Sequence, residues 1–144
     1  DACWITQGFL MSVPSSAKIK VSKNPGKLIV TLNAAGSGSA IDSSTTYTVT
    51  SNSQGSGQLQ ITGAITTGGN MPTNTSLTIS LASKSGISQG AQTLSTTAVA
   101  LVTTLPLLLN DTSKITYTFT VTNGWRIAAQ TLTRKVTLTL AAAS

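Results

Sequence analysis

The sequence contains no histidine and no glutamate, only three aspartates (Asp1, Asp42 and Asp111) and a single cysteine, Cys3. Without histidine there is no imidazole to act as a general base, to activate a nucleophilic Ser or Cys, or to ligate a metal. Three carboxylates scattered along the chain do not suggest the paired acids of a glycosidase, and neither zinc nor EF-hand spacing occurs. One cysteine excludes an intrachain disulfide. Ser15-Ser16-Ala17-Lys18 formally fits S-x-x-K. It has no K-T-G partner and precedes a strand pattern rather than a helix, so it counts as a chance match. The glycine-rich loops lack the G-K-[ST] ending of a phosphate-binding loop. The expectation is a protein that is not an enzyme and needs no cofactor or metal.

Charge is also scarce: 8% of residues are charged, against about 25% in ordinary soluble domains. Hydroxyls replace it, with 19 Ser and 26 Thr among 144 residues. Such a surface suits secreted, cell-surface and virion β-domains. The net charge of +6 reflects few acids more than many bases. Lys18, Lys20, Lys23 and Lys27 cluster early, and Arg134 and Lys135 lie late. The six aromatics do not interleave with the lysines, which argues against nucleic acid. Solvated lysines on strand edges, which discourage unwanted pairing, are the plainer account. The longest apolar run, Ala98 to Leu109, contains two Thr and Pro106. It is too short to span a bilayer, so a chain not embedded in a membrane is expected. The sequence starts at Asp1 with no signal-like segment, as expected of a mature exported protein or a trimmed one.

What is present is alternation. In Ser113 to Thr122 (SKITYTFTVT), Ile115, Tyr117, Phe119 and Val121 share one parity and four Thr the other, which predicts a strand with one face on a core. Thr suits the outward side, because its branched Cβ favours extended backbone. A second strand is expected in TLTRKVTLTL from Thr131, joined to the first by a loop around Asn123-Gly124 and Trp125. Ala17–Ser22 and Lys27–Asn33 predict two strands about the turn Asn24-Pro25-Gly26. Further strands are expected at Thr45–Ser51, at Gln58–Ile65 with Gly63 as a bulge, and at Ser76–Leu81. Gln92 to Thr104 fits either a strand or a short buried helix. Seven or eight core strands with turn signals between them predict an all-β fold, an antiparallel β-sandwich of Ig-like or pilin-like type, with an extended N-terminal strand in addition.

That N-terminal stretch, DACWITQGFLMSV, is long, uncharged after Asp1, and apolar where chain ends are commonly polar. Cys3, Ile5, Phe9, Met11 and Val13 share one parity, interrupted by Gln7. Pro14 and Ser15-Ser16 separate the stretch from the rest of the chain. The chain is thereby divided into an arm, residues 1–14, and a β-domain, residues 15–144. The arm has two possible fates: the first strand of its own domain, or a strand donated to a neighbour's sheet. A head-to-tail contact of the second kind does not close and builds a filament.

With its alternating apolar arm, Thr/Ser-rich domain and final strand KVTLTL, the chain resembles subunits of extracellular filaments assembled by donor-strand complementation, the bacterial pilins and archaeal pili and threads. The resemblance spans the whole chain loosely and rests on no specific motif. It implies a homopolymer on the cell surface, with Ile5, Phe9, Met11 and Val13, and also Cys3, as donor positions. Chaperone–usher pilins carry a disulfide and an aromatic near the C-terminus, whereas this chain has one cysteine and ends AAAS. A chaperone-independent subunit is therefore implied.

Other readings remain beside it. Cys3 suits a buried small apolar residue, a reactive thiol or an intermolecular bridge. Trp4 and Trp125 could form a sugar-stacking platform in a monomeric carbohydrate-binding or adhesin-like module. Asn74-Thr75-Ser76 and Asn110-Asp111-Thr112 are N-glycosylation sequons, which make a glycan partner feasible. About two such matches are expected by chance in so hydroxyl-rich a chain.

Overall fold

The computed structural model describes residues 17–52, 57–124 and 131–143, together with the backbone of residues 4–5. Among these residues ten strands occur in order: β1 (Trp4–Ile5), β2 (Lys18–Val21), β3 (Gly38–Asn52), β4 (Leu59–Thr67), β5 (Thr75–Leu81), β6 (Ile87–Ser88), β7 (Gln92–Thr93), β8 (Val99–Leu105), β9 (Leu108–Val121) and β10 (Lys135–Ala142). There is no α-helix among the described residues. One sheet has the order β1-β10-β4-β8-β6 and the other β2-β3-β9-β5-β7. Every pairing is antiparallel except that of β1 with β10.

β9 sits at the centre of the second sheet, between β3 and β5. Its period-two pattern holds as expected: Ile115, Tyr117, Phe119 and Val121 are buried while Thr116, Thr118 and Thr120 are half-exposed. The inward residues of both sheets, such as Leu77 and Tyr117 from one and Ile61 and Leu138 from the other, form a single core. On the outer faces, threonine hydroxyls pair across strands. Thr48 and Thr112 lie 2.8 Å apart, as do Thr66 and Thr137, and Ser43 and Thr116 are 3.2 Å apart. These pairs do the cross-strand work that ion pairs do on more charged sheets.

Several expectations are corrected. No strand forms over residues 27–33. The apolar alternation there is real, since Leu28 is buried and Val30 and Leu32 pack on the core, but its backbone does not join a ladder. At the turn before it, Pro25 offers no N–H and the Gly26 N–H donates to the Asp42 carboxylate at 3.3 Å. β3 begins at Gly38, seven residues before the expected start at Thr45, and glycine is required there because a Cβ would meet the Thr31 carbonyl at 2.5 Å. Gly63 is no bulge: it pairs with Leu138 and Val99, and a Cβ there would meet Leu101 Cδ1 at 2.7 Å. The ambiguous Gln92–Thr104 stretch is extended, as the short β7 and the longer β8. The two C-terminal strands belong to different sheets, β9 to the second and β10 to the first.

Candidate functional site

β10 has two unlike sides. Toward β4 it is paired along its whole length, from Lys135 opposite Thr67 to Ala142 opposite Leu59. Toward the outside, among the described residues, Lys135 and Val136 pair with Trp4 and Ile5 of β1 in parallel register. From Thr137 to Ala142 no strand pairs that outer side among the described residues. The N–H and C=O groups of such an edge are a template for a further strand.

The side chains of β10 are sorted as the KVTLTL alternation requires. Val136, Leu138 and Leu140 are buried, while Thr137, Thr139 and Ala141 are half-exposed on the outer face. Across the core the matching edge is β2, the outermost strand of the second sheet, which turns Ile19 and Val21 inward and Lys18 and Lys20 outward. The same flank of the molecule is thus bounded by two edge strands, with apolar side chains between them and lysines at its rim. Lys135 is exposed at the start of β10.

Arg134 fixes how β10 begins. Its guanidinium is buried and donates from Nε to the Gly69 carbonyl at 2.8 Å, from Nη2 to that of Asn70 at 3.0 Å, and from Nη1 to that of Thr133 at 3.0 Å. Gly68 approaches so closely, at φ +101°, that a Cβ would meet Arg134 Cδ at 2.7 Å. The 68–70 loop is thereby clamped against the residue preceding Lys135. In the sequence Arg134 reads only as one of two late basic residues. A glycine pair upstream offers no signal that an arginine will close over it.

Of the donor positions expected from sequence, Ile5 lies in β1. Cys3, Phe9, Met11 and Val13 lie outside the described residues, as does Trp125. The structure therefore places Trp4 and Ile5 on the chain's own final strand. Asn74 is half-buried in a turn at φ +69°, its carbonyl accepting the Thr122 N–H at 2.8 Å. Asn110 is exposed within β9 opposite Thr50, and the hydroxyl of its sequon Thr112 is paired with Thr48. Neither asparagine lies on β10 or β1.

Asp42 and Asp111, the two aspartates among the described residues, lie far apart. Asp42 and Asp111 sit opposite Tyr117 and Val49 in the β3–β9 ladder. Seven residues of β3 therefore separate their positions, about 20 Å at the usual rise, beyond the spacing of a glycosidase pair. Burial pushes the Asp42 carboxyl up, but the Ser44 N–H and hydroxyl, the Gly26 N–H and the charge of Lys23 outweigh it and hold the group below its ordinary value. Asp111 accepts the Ser85 hydroxyl. Burial raises the Tyr47 phenol, against the opposing hydrogen bonds of Ser83 and Ser113, and its hydroxyl donates to the Ala82 carbonyl. Among the described residues, no three His, Cys, Asp or Glu side chains gather as a metal site. No helix among them is long and apolar enough to cross a membrane. Comparison with family models, with curated proteins and with solved structures returns no match for this chain.

Proposed function

We propose that the chain is a structural subunit of a secreted, cell-surface filament: a pilin-like β-sandwich that polymerises head-to-tail by inserting its N-terminal strand into a neighbouring subunit. The observation that carries this reading is the unequal pairing of β10. Its outer edge accepts a strand from the arm at Lys135 and Val136, and the edge continues to Ala142 with no partner among the described residues. An apolar arm and a strand-accepting edge on one chain are the two halves of a repeating joint. Burying Ile5, Phe9, Met11 and Val13 would contribute about 1.5–3 kcal/mol each, beside the sheet hydrogen bonds. The near absence of charge and acid–base groups suits a scaffold rather than a catalyst.

The test is substitution within the arm. Ile5→Asp and Phe9→Asp each place a charge where an apolar side chain must be buried. Both variants are expected to remain folded by circular dichroism yet fail to form filaments by electron microscopy. Normal filaments from both would remove the arm as the joint.

One observation favours a second reading. β1 pairs with its own chain's β10, as it would in a monomeric carbohydrate-binding or adhesin-like module acting through Trp125 and nearby loops. A monomeric mass, together with loss of glycan binding in Trp125→Ala, would favour the module.

A further inference from the structure

The outer face of the second sheet carries charge of one sign. β2 pairs with β3 so that Lys18 stands opposite Thr50 and Lys20 opposite Thr48, and β3 pairs with β9 so that Thr46 stands opposite Lys114. Cross-strand partners share a face of a sheet. The three lysines are exposed and the three threonines half-exposed, so all six side chains point outward. At the usual rise and strand spacing, the Cα atoms of Lys18 and Lys20 lie about 7 Å apart and those of Lys20 and Lys114 about 12 Å apart. Asp42 and Asp111 stand opposite the inward-facing Tyr117 and Val49, on the other side of the sheet. The one further acidic side chain in the sequence is that of Asp1, outside the described residues. Lysines on an edge strand discourage stray pairing. That accounts for Lys18 and Lys20 on β2 but not for Lys114, two strands in from that edge.

We propose that this face binds an acidic polysaccharide, with the three ammonium groups on its carboxylates and the threonine hydroxyls between them on its ring hydroxyls. Charge complementarity selects the partner. Three cations spread over one face, with no described carboxylate on their side, fit a polymer that carries anions at intervals. A threonine hydroxyl both donates and accepts, as a sugar hydroxyl does. A single-stranded nucleic acid would call for aromatic platforms beside the lysines, and Tyr47, Tyr117 and Phe119, the described aromatic side chains, are buried in the core. A lipid surface would call for apolar side chains among the lysines, where threonines stand. The inference goes beyond the filament reading and does not depend on it, because the whole face belongs to one subunit. In a filament the face recurs in every subunit, and a polysaccharide that engages several at once gains avidity.

Titration of the full chain with polygalacturonate, followed calorimetrically and with neutral dextran as the control polymer, tests this. The parent is expected to bind polygalacturonate and not dextran, with an affinity that falls as salt is added. Combining Lys18→Gln, Lys20→Gln and Lys114→Gln is expected to weaken binding about ten-fold. The fold should persist by circular dichroism, since all three side chains are exposed. Arginine at the same three positions keeps the charge and should leave the affinity within about two-fold of the parent. Lys27→Gln removes one exposed charge that lies off these three strands, and should weaken binding less than Lys20→Gln does. No binding of polygalacturonate, binding that survives the triple glutamine variant, or equal losses from Lys27→Gln and Lys20→Gln would overturn the proposal. So would tighter binding, at matched charge, of oligo(dT) or of phosphatidylserine vesicles, which would assign the face to a nucleic acid or to a membrane surface.

Discussion

Arg134 and Asp42 are charged side chains held by hydrogen bonds to neutral groups, with no partner of opposite charge in hydrogen-bond contact among the described residues. Arg134 spends three donors on backbone carbonyls, two of them in the 68–70 loop. Hydrogen bonds from charged groups contribute about 1.5–3 kcal/mol each when intact, and less where the acceptors can return to water. Arg134→Ala is therefore expected to cost about 1–3 kcal/mol in urea unfolding, with Arg134→Lys recovering only part, since an ammonium lacks the planar fork. Full recovery by lysine would show that charge alone matters there. At Asp42 the folded carboxyl lies below its ordinary value because hydrogen bonds and Lys23 outweigh burial. A depressed acid contributes stability above its unfolded pKa, and that contribution is lost as pH falls through the folded one. The group is largely exposed, so the effect is small and salt-screened. Stability should fall below the ordinary carboxylate range, and Asp42→Asn should flatten that fall; an unchanged acid limb in the variant would contradict this.

At the scale of the element, burial separates leucines that look alike in sequence. Leu138 on β10 is fully buried, whereas Leu108 at the start of β9 is 72% exposed. Leu138→Ala should cost about 2–5 kcal/mol by transfer and cavity effects, and Leu108→Ala should lie within about 0.5 kcal/mol of the parent. Comparable losses by thermal or denaturant unfolding would mean that Leu108 is covered in the assembled molecule. Strand identity was legible in β9 and β10, where Thr alternates with large apolar residues over a long run, because an extended backbone puts all the apolar side chains of that pattern on one face. It was not legible over residues 27–33, which show the same alternation. There the backbone joins no ladder, although Leu28 is buried and Val30 and Leu32 pack on the core. The two-residue strands β6 and β7 have too few positions for a period.

For the molecule as a whole, two sheets and one core follow from patterning, but which strands pair does not. β9 and β10 are joined by one loop and fall in different sheets, and nothing local to either strand encodes that. The candidate site was half legible. The apolar arm stands out against a hydroxyl-rich chain, whereas the proposed acceptor edge is defined by pairing among the described residues, a property of topology. The claim that arm and edge together make an intermolecular joint is tested most directly by the mass distributions of residues 1–144 and 15–144, with and without a peptide of residues 2–14. The full chain should form polymers. The truncated chain should be monomeric and less stable, and the peptide should restore its stability without restoring polymers. A full chain that stays a stable monomer at every concentration would contradict the account and make the arm the first strand of a solitary domain.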